Sequence, residues 1–173
     1  MKMKKLKKDQ KGFTLVELLV VVAITGLITW GITMTIFQVF DINTRSTNRM
    51  AAISQLQNAG FWVSPDVQMA QNVTPGVSSG FPLTLTWIEW GTNNTHEVIY
   101  SLVAMSGELK KLQREHYRNL ALNSTTIVAE YINPDPQKTK CEFVGGELIF
   151  TVTATVGGES ETRVYEVKPR PGS

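Results

Sequence analysis

The sequence predicts an α+β protein: a long N-terminal α-helix, membrane-spanning in its first half, packed on an antiparallel β-sheet. Three observations predict it. An uncharged apolar run of 23 residues, "LLVVVAITGLITWGITMTIFQVF", covers residues 18–40 behind a lysine-rich start. Beyond it, apolar residues recur at spacings of three and four up to about residue 63, the period of one helix face. From residue 81 the period changes to two, the alternation of a half-buried strand. A helix followed by strands alone is the element order of a helix lying on an antiparallel sheet.

The first element is basic. Residues 1–12 hold Lys2, Lys4, Lys5, Lys7, Lys8 and Lys11 against Asp9, a net of +5. The whole chain has 17 basic and 15 acidic side chains, so 11 and 14 remain for residues 13–173, a net of −3. The basic character belongs to the first dozen residues, and it is poor ground for inferring a nucleic-acid partner.

The apolar run comes next. As a helix, 23 residues span about 35 Å, enough for a hydrocarbon core of ~30 Å. The run is longer than the ~7–15 apolar residues of a secretory signal, and no A-x-A site closes it. Lysines ahead of it predict that end in the cytoplasm and the carboxyl end outside. Glu17 stands at its edge. A carboxylate in mid-membrane costs about 2.5–3.5 kcal/mol. The thirteen Leu, Ile, Val and Phe side chains of the run return about 4–8 kcal/mol, so insertion survives the charge.

Past Phe40, Met50, Ile53, Leu56, Gly60 and Val63 form an apolar stripe. Arg45, Arg49, Gln55 and Gln57 lie off it, toward water or neighbours. Residues 13–63 are therefore expected as one helix of about 77 Å. Ser64-Pro65-Asp66 reads as a restart, with Ser64 as cap and Pro65 in the first turn of a short helix to Ala70. "FPLTLTWIEW" alternates Leu83, Leu85, Trp87 and Glu89 on one face, and "GTNN" turns the chain. "HEVIYSLVAM", "ELKKLQREHY" and "TTIVAEYI" follow as strands. Residues 133–140, with Pro134 and Pro136, form a loop. "KCEFV" meets "ELIFTVTATV" across Gly145-Gly146, and Gly157-Gly158 turns the last hairpin into "TRVYEVK". The tail "PRPGS" is expected to fray.

The order basic leader, Gly12, Phe13, Thr14, Leu15, Val16, Glu17, apolar helix resembles the type IV prepilin and type II secretion pseudopilin signature, G-F-T-L-x-E. The resemblance covers residues 7–40. It implies that a prepilin peptidase cuts between Gly12 and Phe13 and that Phe13 is N-methylated. It also implies that Glu17, fifth residue of the mature chain, pairs with an amino terminus during assembly. Glycine before the cut offers no side chain to obstruct the peptidase, and a carboxylate in an apolar setting favours a cationic partner. The implied domains are a removed leader at 1–12, a helix at 13–63 with its membrane part at 13–40, and a β-rich head at 64–173. The implied partners are the peptidase, other pilin or pseudopilin subunits, an inner-membrane platform with a motor ATPase, and membrane lipid. The pattern over residues 98–168 is similar to minor subunits of the J/W branch. One cysteine cannot close the C-terminal disulfide loop of many major pilins, which favours a minor subunit.

Other constellations give less. Lys110, Lys111, Arg114 and Arg118, beside Tyr117, could contact nucleic acid. Glu108 and Glu115 dilute them, and a solvated strand face is the preferred reading. Trp87, Trp90, Phe61 and Trp62 are expected in the core or between sheet and helix, with any exposed fraction read as a partner surface. His96 and His116 read as surface or half-buried residues, and Cys141 as a buried thiol. No catalytic, phosphate-binding or metal-ligating spacing stands out, so no enzyme and no cofactor is expected. The alternative function is an uncleaved single-pass anchor displaying a ligand-binding β domain, a role in DNA uptake included.

Overall fold

The structure is a computed structural model, and it describes residues 12–170. The lysines of the leader and the last three residues of the tail lie outside the described residues. The chain divides into two compact units, Met1–Thr44 and Arg45–Ser173.

Helix α1, Leu15–Met69, contains 55 residues. Its part in the first unit buries nothing: every described side chain there is exposed. By length and composition α1 is long and apolar enough to cross a membrane. The hydroxyls of Thr25, Thr29, Thr33 and Thr35 donate to carbonyls four residues back at 2.8–2.9 Å. Each is thereby satisfied inside the helix, as a polar group in an apolar medium must be.

In the second unit, α1 buries Ala52, Leu56, Ala59, Gly60, Val63 and Val67. Met50 was expected on this stripe and is instead 70% exposed. The buried face runs through small residues at 52, 59 and 60, which let the sheet approach closely. At Gly60 the ring of Tyr165 fills the space a Cβ would need. The Tyr165 hydroxyl donates to the Leu56 carbonyl at 2.8 Å. The expected break at residues 64–66 is absent: α1 continues through Pro65 to Met69. Val63, Asp66, Val67 and Ala70 are all buried, and their packing outweighs the hydrogen bond that proline removes.

Eight strands follow: β1 Asn72–Gly76, β2 Gly80–Ile88, β3 Thr95–Ala104, β4 Lys110–Arg118, β5 Ala121–Ile132, β6 Lys140–Val144, β7 Glu147–Val156 and β8 Glu159–Val167. They form one antiparallel sheet in the order β1-β2-β3-β4-β5-β7-β6, with β8 also paired to β7. The sheet curls until the Cys141 amide donates to the Ser79 carbonyl at 2.8 Å. Gly80, at φ 81°, sits against the Cys141 backbone where no side chain would fit. Leu83, Leu85, Val98, Tyr100, Leu112, Leu148 and Phe150 supply the sheet's inner face. The α+β architecture expected from the sequence is the one found. Strand β1 was not foreseen, and β5 begins four residues before "TTIVAEYI".

Candidate functional site

Gly12, Phe13 and Thr14 precede the helix, and all three are exposed. Nothing lies within 4 Å of a Cβ built at Gly12. Folding therefore places no demand for glycine at this position among the described residues. Thr14 caps α1: its Oγ1 accepts from the Glu17 amide at 3.3 Å, and its carbonyl accepts from the Leu18 amide at 3.2 Å. Thr14 and Glu17 thus occupy the first and fourth positions of an S/T-x-x-E capping pattern, a signal the sequence carried and our reading of it missed. Glu17 lies in the first turn, where the helix dipole favours negative charge. Its carboxylate has no partner among the described residues and stands exposed. The structure thus brings Gly12, Phe13 and Glu17 together around one capped helix start.

The head holds a buried polar cluster that sequence reasoning did not find. Arg114 on β4 grips Asp66 of α1 with two hydrogen bonds, Nε to Oδ2 at 2.6 Å and a terminal nitrogen to Oδ1 at 3.0 Å. The Tyr100 hydroxyl donates to the same Oδ2 at 2.5 Å. The guanidinium lies 5.2 Å from the centre of the Trp62 ring. Burial opposes charge on Arg114, but the Asp66 hydrogen bonds and charge raise its pKa. Burial first, then the Asp66 charge, pushes the Tyr100 hydroxyl up. These residues are 34 and 48 positions from Asp66, and only the register of β3 and β4 brings them to it.

The cluster changes the reading of the basic stretch. Arg114 is buried and paired, Lys111 binds Glu130 at 2.7 Å, and Arg118 meets Glu89 at 3.3 Å. Three of its four cations already have carboxylate partners. Two aromatic expectations also fail: Phe61 is 72% and Trp90 91% exposed, while Trp87 is buried and Trp62 half-buried. Phe61 falls on the solvent side of α1, and Trp90 lies beyond the end of β2.

His96 and His116 are neighbours. His96 Nδ1 and His116 Nε2 are 2.9 Å apart, and His96 stacks on Trp87 at an interplanar angle of 2°. Asn123 lies 3.4 Å from His116 Nδ1. If its amide donates there, His116 donates to His96, and the remaining proton of His96 faces Glu89 Oε2 at 3.6 Å. Both rings are then neutral. Burial and the nearby Arg114 charge hold the His116 pKa below its ordinary value. Hydrogen bonds from Asn94 and Thr92 lower Glu89 to about 2. Cys141 is buried in β6, and burial pushes its thiol pKa up. No group of three metal-ligating side chains occurs among the described residues.

Residues 7–33 match the family model for the prokaryotic N-terminal methylation motif. The N-terminal segment is pilin-like. The match covers Gly12, Phe13, Glu17 and the first part of the apolar helix. It supports the prepilin and pseudopilin class, whose members are structural rather than enzymatic. The same class, with the apolar helix, points to membrane anchoring, processing by a prepilin peptidase and assembly with other pilin subunits. No curated protein and no solved structure matches the chain.

Proposed function

We propose that the chain is a minor pilin or pseudopilin subunit of a type IV pilus-like or type II secretion filament, of the J/W-like branch. A prepilin peptidase cuts between Gly12 and Phe13, and Phe13 is then N-methylated. The apolar part of α1 holds the subunit in the cytoplasmic membrane as a single span with the head outside. A platform with a motor ATPase extracts it into the filament, where the tip is a fitting place for so specialised a head. Glu17 offers its carboxylate to an amino terminus.

The observation that carries this reading is the methylation motif at residues 7–33. The helix start supports it. Gly12 has no structural reason to be glycine, and the Thr14 cap leaves Phe13 outside α1 with the Glu17 carboxylate exposed.

Substitution tests the two roles separately. Gly12→Ala, expressed with an active peptidase, should accumulate as precursor; unchanged processing would remove the cut-site assignment. Glu17→Val should still insert and be cleaved but enter filaments poorly, as read by the subunit's recovery in sheared filaments. Wild-type recovery would remove the assembly role of Glu17.

A further inference from the structure

One pole of the head displays apolar side chains that the fold itself does not use. Leu120, at the turn between β4 and β5, is 88% exposed and adopts a left-handed backbone at φ 66°. That conformation is unfavourable for leucine, and the exposed side chain gains nothing from burial. The turn is nevertheless held firmly. Asn119 Oδ1 accepts from the Thr95 amide at 2.9 Å, the Asn119 amide donates to the Thr95 carbonyl at 2.8 Å, and Asn119 Nδ2 donates to Asn94 at 2.8 Å. These bonds tie it to the loop that carries Trp90, whose side chain is 91% exposed. A rigid turn that presents leucine outward is a pre-organised contact.

Leu120 overhangs a cleft of about 450 Å³ whose walls include Asn72, Thr86, Trp87, Ile88 and Glu97. Thr86 and Glu97 are cross-strand partners, and Glu97 pairs in turn with Tyr117. Glu97 is half-buried and makes no ion pair among the described residues. Glu89 nearby is already engaged by Arg118, Asn94 and Thr92. The cleft therefore combines apolar walls with one uncompensated carboxylate. A lysine or arginine complements it, with an aliphatic stem along Ile88 and Leu120 and a cation at Glu97. The exposed Trp90 and Leu120 at this pole suit the flanking residues of a polypeptide.

We infer that this cleft docks a second polypeptide through a basic side chain flanked by apolar residues. The inference does not depend on the roles of Gly12 or Glu17. The test is NMR titration of the full chain in a nonionic detergent with acetyl-Leu-Arg-Leu-amide. A saturable shift of the Thr86, Glu97 and Leu120 resonances is expected, with a Kd of about 1 mM for so small a probe. Glu97→Gln and Leu120→Gly should each weaken it roughly tenfold. Glycine suits the left-handed backbone, so the second variant keeps the turn. Acetyl-Leu-Glu-Leu-amide should not bind. Absence of saturation by the arginine peptide, equal binding of the glutamate peptide, or wild-type affinity in Glu97→Gln or Leu120→Gly would overturn the proposal. Equal affinity for butylguanidinium alone would also overturn it, by making the cleft a small-cation site.

Discussion

Asp66 is the residue on which the docking of α1 to the sheet turns. It receives Arg114 twice and Tyr100 once, all in the protein interior. Removing one partner of a buried ion pair strands the other, so Asp66→Ala should cost about 3–5 kcal/mol. Tyr100→Phe leaves the pair intact and should cost about 1–2 kcal/mol. Denaturant unfolding in detergent checks both, and equal losses would deny Asp66 its central place. The histidine pair makes a pH prediction. The folded His116 pKa lies below 6.5, so the unfolded chain binds more protons as pH falls. Its contribution is present above pH 6.5 and is lost as pH falls below that value. Glu89 acts in the same direction lower down: its contribution is present above 4.5 and is lost toward about 2. Unfolding midpoints should therefore decline from pH 7 to 5, and His116→Gln should flatten that decline.

At the scale of elements, α1 shows what sequence reasoning can and cannot reach. Its apolar first part was plain, because no alternative burial explains 23 uncharged residues. Its passage through Pro65 was not, because local signals favoured a break and only packing of Val63, Asp66 and Val67 on the sheet opposes it. Pro65→Ala should accordingly raise stability by about 1–3 kcal/mol, since the missing hydrogen bond can form. The hairpins from β2 onward were legible from Gly and Asn turns and period-two alternation. Strand β1 was not, because "NVTPG" is short and contains Pro75. The β4–β5 turn has φ of 50° and 66° at Asn119 and Leu120, the pattern of a two-residue turn that prefers Asn-Gly. Leu120→Gly should raise the unfolding free energy by about 1 kcal/mol. A loss there would show that Leu120 packs in a way its exposure conceals.

For the whole molecule, the N-terminal motif was the most legible feature, because the lysines, Gly12-Phe13, Glu17 and the apolar run all fall within one continuous stretch. The polar cluster, the histidine pair and the cleft were invisible for the opposite reason: each joins residues brought together only by strand register. The central claim is that the chain is a precursor processed at Gly12–Phe13. The most direct test is the intact mass and amino-terminal sequence of the full chain, expressed with and without a prepilin peptidase. The account predicts a product beginning at Phe13 and carrying one added methyl group when the peptidase is active. A chain still beginning at Met1, beside a control prepilin that the same enzyme cleaves, would contradict it and leave an uncleaved anchor displaying a β-rich head.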